Sequence, residues 1–157
     1  MKIAIQREDF DAGAEARALS RDNPAVGAVA SFVGLVRDRN DGASVSAMTL
    51  EHYPGMTEKA IAGIVDEANA RWEIIDCCVI HRVGALNPTD QIVFVAVASG
   101  HRGDAFAACE FIMDYLKTDA VLWKREDAGA AQRWLEASEL DRSRVENWRD
   151  DGRADDA

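Results

Sequence analysis

The sequence predicts a single α+β domain, and three observations lead to it. Residues 91–98 are almost wholly apolar, too short a run to cross a membrane and suited to a central strand covered on both faces. Segments 57–72 and 103–117 repeat apolar residues at helical spacing. No internal repeat and no linker-like stretch divides the 157 residues, a length that can bury a core without disulfides or a structural metal.

The elements follow in order. Lys2–Gln6 alternates apolar and polar residues and reads as a short strand. Asp11–Arg21 is Ala-rich and reads as a helix capped by Asp9 or Asp11, and Asn23-Pro24 breaks it. Val26–Val36 is apolar and β-branched, and its Gly27 and Gly34 suggest a buried strand with close backbone approaches. Residues 37–44 (RDRNDGAS) form a mobile, turn-rich loop, and Val45–Tyr53 returns as a strand, so the two strands are expected to pair as a long hairpin.

Pro54 opens the next helix, Thr57 to Trp72, with Ala60, Ile61, Ile64, Val65 and Ala68 on its apolar stripe. Ile74–Val83 and Gln91–Ser99 are strands joined through Asn87-Pro88. The helix over 103–117 carries Phe106, Cys109, Ile112, Met113 and Leu116 on one face. Ala120–Glu126 and Ala131–Glu136 read as a closing pair of short strands. Residues 1–137 thus make the domain. Residues 138–157, ending in Asp150, Asp151, Asp155 and Asp156, form an acidic tail that is partly disordered or helical.

Charge and cysteine usage exclude several classes of function. A formal net charge of −10 argues against a surface built for nucleic acid, and nothing marks a membrane span. The N-terminus lacks the apolar run and cleavage site of a signal peptide, which makes the cytoplasm the expected compartment. Cys77, Cys78 and Cys109 fit no zinc spacing and read as reduced, partly buried thiols. An acidic chain binds an anion only where its cations concentrate, so the cations locate the site.

Only four lysines occur, against fourteen arginines, and two of them, Lys117 and Lys124, lie seven residues apart in LKTDAVLWKRE. A helix end followed by a returning strand can bring both amines to one spot; a capping lysine and a surface lysine are the plainer alternative. Ser99-Gly100-His101-Arg102 lies between the most apolar strand and a helix, where free backbone N–H groups and the helix dipole favour phosphate. There His101 and Arg102 add two donors, or else serve as a cap and a solvated cation. Arg37 ends a strand beside a loop that carries Arg39, the placement of a ligand clamp or of an ordinary surface arginine. His81-Arg82 is a fourth pair, with a structural role near a turn equally open. A Ser-His hydrolase, a Walker loop, a GxGxxG fingerprint and a His metal site all lack the required spacing.

These clusters fall within blocks that resemble the molybdopterin synthase large-subunit (MoaE) family. The blocks are GAVASFVGLVRD (27–38), LEHYPGM (50–56), IHRVGAL (80–86), VAVASGHRGDAF (95–106), DYLKTDAVLWKRE (114–126) and RWLEA (133–137), in the family's order. The resemblance runs from about residue 2 to residue 137. It implies an α/β hammerhead-type core with an added antiparallel β subdomain, and a homodimer within a heterotetramer. It further implies a small ubiquitin-like partner whose C-terminal Gly-Gly thiocarboxylate delivers sulfur to cyclic pyranopterin monophosphate, building the dithiolene of molybdopterin. No metal or redox cofactor is implied.

By matching position, the resemblance makes Lys117 and Lys124 catalytic. It makes Leu35, Val36, Arg37, His101, Arg102, Lys117, Lys124, Arg125 and Glu126 substrate-binding. A base among these lysines is expected to be desolvated beside other cations. The chain departs from many relatives at Val121, where they carry Pro, and over the loop 39–43 and the tail beyond 137. Two readings compete with a sulfurtransferase. One is a non-catalytic docking module for a ubiquitin-like sulfur carrier, which loss of either lysine would favour. The other is an enzyme acting on a different phosphorylated heterocycle.

Overall fold

The computed structural model describes residues 1–40, 43–44, 47–120, 122–128, 131–135 and 137–151, without the side chains of 40, 43–44, 125–128 and 131–135. In chain order the elements are β1 (Lys2–Gln6), α1 (Ala12–Ser20), β2 (Ala28–Leu35), β3 (Arg39–Asn40), β4 (Ala43–Ser44), β5 (Ala47–His52) and α2 (Met56–Arg71). They continue with β6 (Asp76–Arg82), β7 (Gly84–Leu86), β8 (Gln91–Ser99), α3 (Arg102–Thr118), β9 (Leu122–Ala128), β10 (Ala131–Leu135) and α4 (Glu139–Asp151). The α+β class read from the sequence is the class found.

The main sheet has the order β1-β6-β8-β2, with β1 parallel to β6 and the other pairs antiparallel. The apolar run of β8 sits inside it, and helices cover both faces. On one face Val79, Val93, Val95 and Val97 pack against Ile61 and Val65 of α2 and against Phe111 and Ile112 of α3. On the other, Ile80, Phe94 and Ala96 meet Phe10 and Leu19 of the α1 region. Phe111, fully buried, has the rings of Tyr115, Trp72 and Trp148 at 4.5, 5.3 and 5.6 Å. Cutting such a ring back to Ala costs about 3–5 kcal/mol.

The second sheet has the order β10-β9-β5-β7, with its own small core of Val36, Met48, Leu50, Val83 and Leu86. The chain crosses from one sheet to the other just after His81-Arg82. Gly84 makes the crossing with φ +88, a conformation that L side chains rarely adopt. The starts of α1 and α2 have local causes. The Asp11 carboxylate accepts from the Ala14 N–H at 2.9 Å, and the Glu58 carboxylate at the start of α2 accepts from the Gly55 N–H at 2.7 Å.

Three expectations need correction. β2 and β5 form no hairpin: β2 pairs only with β8, while β5 lies in the other sheet between β9 and β7. Their apolar patterns suit either partner, and the loop between them turns the chain out of the first sheet. For the same reason β2 is a half-exposed edge strand, with Ala30 its one buried residue, not a buried strand. Phe106 stands 66% exposed, because the buried face of α3 runs through Ala105, Ala108, Ile112 and Tyr115, a quarter turn away. The close approaches foreseen at the β2 glycines hold. A Cβ on Gly27 would meet the Gly100 carbonyl oxygen at 2.2 Å, and one on Gly34 would meet Val93 at 2.6 Å.

The segment beyond residue 137 folds back as α4. Asp114 of α3, itself buried, accepts from Arg144 Nε at 2.9 Å and from Trp148 Nε1 at 2.8 Å. Val145 and Trp148 then join the core beside α3.

Candidate active site

The C-terminal end of α3 faces β9 across the seam between the two sheets. Lys117 stands in the last turn of α3, where the helix dipole favours a cation. Lys124 lies on β9, opposite Leu50 of β5, which is in turn opposite Gly84 of β7. Main-chain pairing therefore fixes the distance of Lys124 from the point where the chain changes sheet. The two lysines line the same two cavities.

The first cavity, of about 420 Å³, is walled by Leu35, Val36, Arg37, Arg39, Lys117 and Lys124 together with apolar side chains of β2 and β8. Four cations line it and, among the described residues, no carboxylate does. In a chain of net charge −10, this is the concentration of positive charge that an anionic ligand requires. The backbone bulges between Gly34 and Leu35, and Val36 is tied to the 89–90 turn by two main-chain hydrogen bonds of 2.9 and 2.8 Å. The strand end that presents Arg37 is thus tied to the turn that precedes β8.

The second cavity, of about 600 Å³, adds His81, Trp123, Asp119, and Asp141 and Arg142 of α4 to the same lysines. His81 is 7% exposed, and burial, with Lys117 and Lys124 nearby, pushes its pKa down to about 4. Arg82 has a different role. Its Nε and Nη2 donate to the Arg7 carbonyl at 3.1 and 3.0 Å, and Nη1 donates to the Gln91 carbonyl at 3.0 Å. The His-Arg pair therefore divides, with Arg82 pinning strands together and His81 belonging to the lysine site. The sequence leaves this open, although alternation along β6 carries the signal. Cys77, Val79 and His81 share one parity, and the first two face α2 and α3.

His101 and Arg102 are not brought to the lysines within one chain. They start α3 and Lys117 ends it, a separation of roughly 24 Å at the helical rise. His101 takes the N-cap position without a side-chain cap bond, and both residues are exposed. Lys117 is also exposed, so the desolvation expected of a basic lysine is not supplied by the described residues. The backbones of Arg125 and Glu126 pair with Thr49 and Met48, while their side chains, like Val121, lie outside the described residues. Burial drives the Cys77 and Cys109 thiols up to about 11 and Cys78 to about 12, so all three stay protonated. No helix among the described residues is long and apolar enough to cross a membrane.

Comparison with known proteins decides the family. The model of the MoaE protein family matches residues 5–119. The chain belongs to the MoaE family. It is 62% identical over 146 residues to a molybdopterin synthase catalytic subunit from Ralstonia nicotianae, covering 93% of this chain and 83% of the relative. Among solved structures, the molybdopterin biosynthesis MoaE protein of Burkholderia ambifaria superposes with a TM-score of 0.81 at 54% identity, over 94% of this chain and 97% of that one. Molybdopterin synthase from Staphylococcus aureus does so with a TM-score of 0.77 at 32% identity, over 83% and 94% of the two chains.

Proposed function

We propose that this MoaE-family chain is the catalytic subunit of molybdopterin synthase. In this reading it transfers sulfur from the C-terminal thiocarboxylate of a small ubiquitin-like subunit to cyclic pyranopterin monophosphate. The observation that carries the reading is the cavity walled by Arg37, Arg39, Lys117 and Lys124 without a described carboxylate. Both reactants are anionic, and such a cavity can hold a phosphate and a thiocarboxylate close together.

Arg37 binds the phosphate-bearing substrate, with Leu35 and Val36 forming the wall beside it. Lys117 moves the proton at the carbon that receives sulfur, and Lys124 stabilises the charge that develops as the cyclic phosphate opens. Arg125 and Glu126 extend the binding strand. His101 and Arg102, a helix length away, serve the cavity of a second copy of the chain. Support for such a homodimer comes from β2, an edge strand that exposes Val29, Phe32 and Leu35. The assembly is a heterotetramer in the cytoplasm.

An in vitro assay with thiocarboxylated small subunit and cyclic pyranopterin monophosphate tests this. The wild type should form product, and Lys117→Ala should form it at least about 100-fold more slowly. Equal rates from both would move the proton transfer to Lys124. A wild type that binds the partner yet forms no product would make the chain a docking module.

A further inference from the structure

Four cations line the first cavity, and the reaction proposed above uses three of them. Arg39 is the fourth. It falls in the stretch 39–43, where the chain departs from many relatives, so no role comes to it by resemblance.

Its place in the structure is nevertheless specific. Val36 is fastened to the 89–90 turn by two main-chain hydrogen bonds, which set the path on which the chain leaves β2. The chain then enters the β3–β4 hairpin, in which Arg39 pairs with Ser44. Arg37 and Arg39 both line the cavity, whereas Asp38 between them does not. One short segment thus brings two arginines to the same space and leaves the intervening carboxylate out of it. Arg39 is exposed, and among the described residues it has no hydrogen-bond or ion-pair partner. Beside three other cations and no described carboxylate, its charge meets only repulsion in the cavity until an anion enters.

The charges of the two reactants decide which anion that is. The lysines come from separate elements, Lys117 from the end of α3 and Lys124 from β9, while the arginines come from one segment. A thiocarboxylate has a single negative charge, which one ammonium matches. A cyclic phosphate is a diester and is also singly charged. Once one of its ester links is broken it is a monoester, with a charge of about −1.5 to −2 at neutral pH and three terminal oxygens. One guanidinium fork engages two of those oxygens and leaves the third, with the added charge, unmatched. A second arginine two residues away supplies the missing donors.

We propose that Arg39 is a further substrate-binding residue, closing with Arg37 on the phosphate of the substrate and holding it most firmly as the ring-opened monoester. This rests on the reading of the cavity as the site of sulfur transfer to a cyclic phosphate.

The test compares wild type and Arg39→Ala in the reconstituted assay, with the full chain and its thiocarboxylated partner. Arg39 is exposed, so the substitution removes no core packing. KM for the phosphorylated substrate should rise about 10-fold, and KM for the partner should change less than about twofold. An unchanged KM for the phosphorylated substrate overturns the proposal. So does an equal rise in KM for the partner, which would assign Arg39 to the thiocarboxylate tail. A second measurement needs no turnover: phosphorus NMR titration of the chain with inorganic phosphate, and with dimethyl phosphate as a singly charged diester. Arg39→Ala should weaken phosphate binding about 10-fold and dimethyl phosphate binding less than about threefold. Equal phosphate affinity in the two proteins, or an equal loss for both probes, overturns the proposal. A wild type that makes no product while its phosphate binding still depends on Arg39 would overturn the sulfur-transfer reading instead, so the two failures are distinguishable.

Discussion

The two ends of α3 carry the same kinds of residue in opposite surroundings. At its C-terminal end, Lys117 meets Lys124, Arg37, Arg39 and His81 around two cavities at the seam of the sheets. At its N-terminal end, His101 and Arg102 stand exposed, with no facing cavity described. The first end is assembled by one chain: residues of β2, β3, β5, β6, β8 and β9, the end of α3 and α4 all contribute. The second has the donors and the dipole for an anion, and in the proposed reading it is completed by another surface. A cation cluster is therefore complete or incomplete according to topology, not residue type.

The sharpest way to break this comparison is Arg102→Ala. If the open end serves a second copy, the variant should lose about 100-fold in kcat/KM while its unfolding free energy stays within about 0.5 kcal/mol of wild type. Activity unchanged in steady-state kinetics would leave the N-terminal end without a part in catalysis.

A smaller effect separates the closed end by its response to acid. The His81 pKa falls from 6.5 to about 4 on folding. Below pH 6.5 the unfolded chain takes up a proton that the folded ring refuses, so stability falls with pH through this window and the loss levels off below about 4. The whole step is on the order of 3 kcal/mol. Urea denaturation at pH 7 and pH 4.5 should show it in the wild type and show it reduced in His81→Gln; an equal acid loss in both would assign it to other groups.

Local order was legible where one segment settles its own structure. The apolar run of β8, the stripes of α2 and α3, the Asp11 cap and the close approaches at Gly27 and Gly34 all depend on neighbours in sequence or on sterics. Pairing was not legible. β2 is apolar enough to accept β5 or β8, and the choice is made by the loop that leaves the sheet after Val36. The site divides along the same line. Arg37, Lys117 and Lys124 stood out because cations at strand and helix ends are visible in a chain of net charge −10. The placement of His81 did not, since it depends on the Arg82 carbonyl that its ring faces and on strand partners far off in sequence, Ile5 of β1 and Val93 of β8. Nor did the distance between His101 and Lys117, which only the straight run of α3 sets.

In the proposed reading a working site joins the lysines of one chain to the His101-Arg102 end of another. Mixing Lys117→Ala with Arg102→Ala tests it directly, after the two inactive variants have been unfolded and reassembled together. A mixed dimer then contains one site with both residues intact and one with neither. Half of the dimers are mixed, so activity should return to about one quarter of the wild-type value in the sulfur-transfer assay. A mixture as inactive as either variant alone would mean that each chain uses its own Arg102, and would contradict the claim.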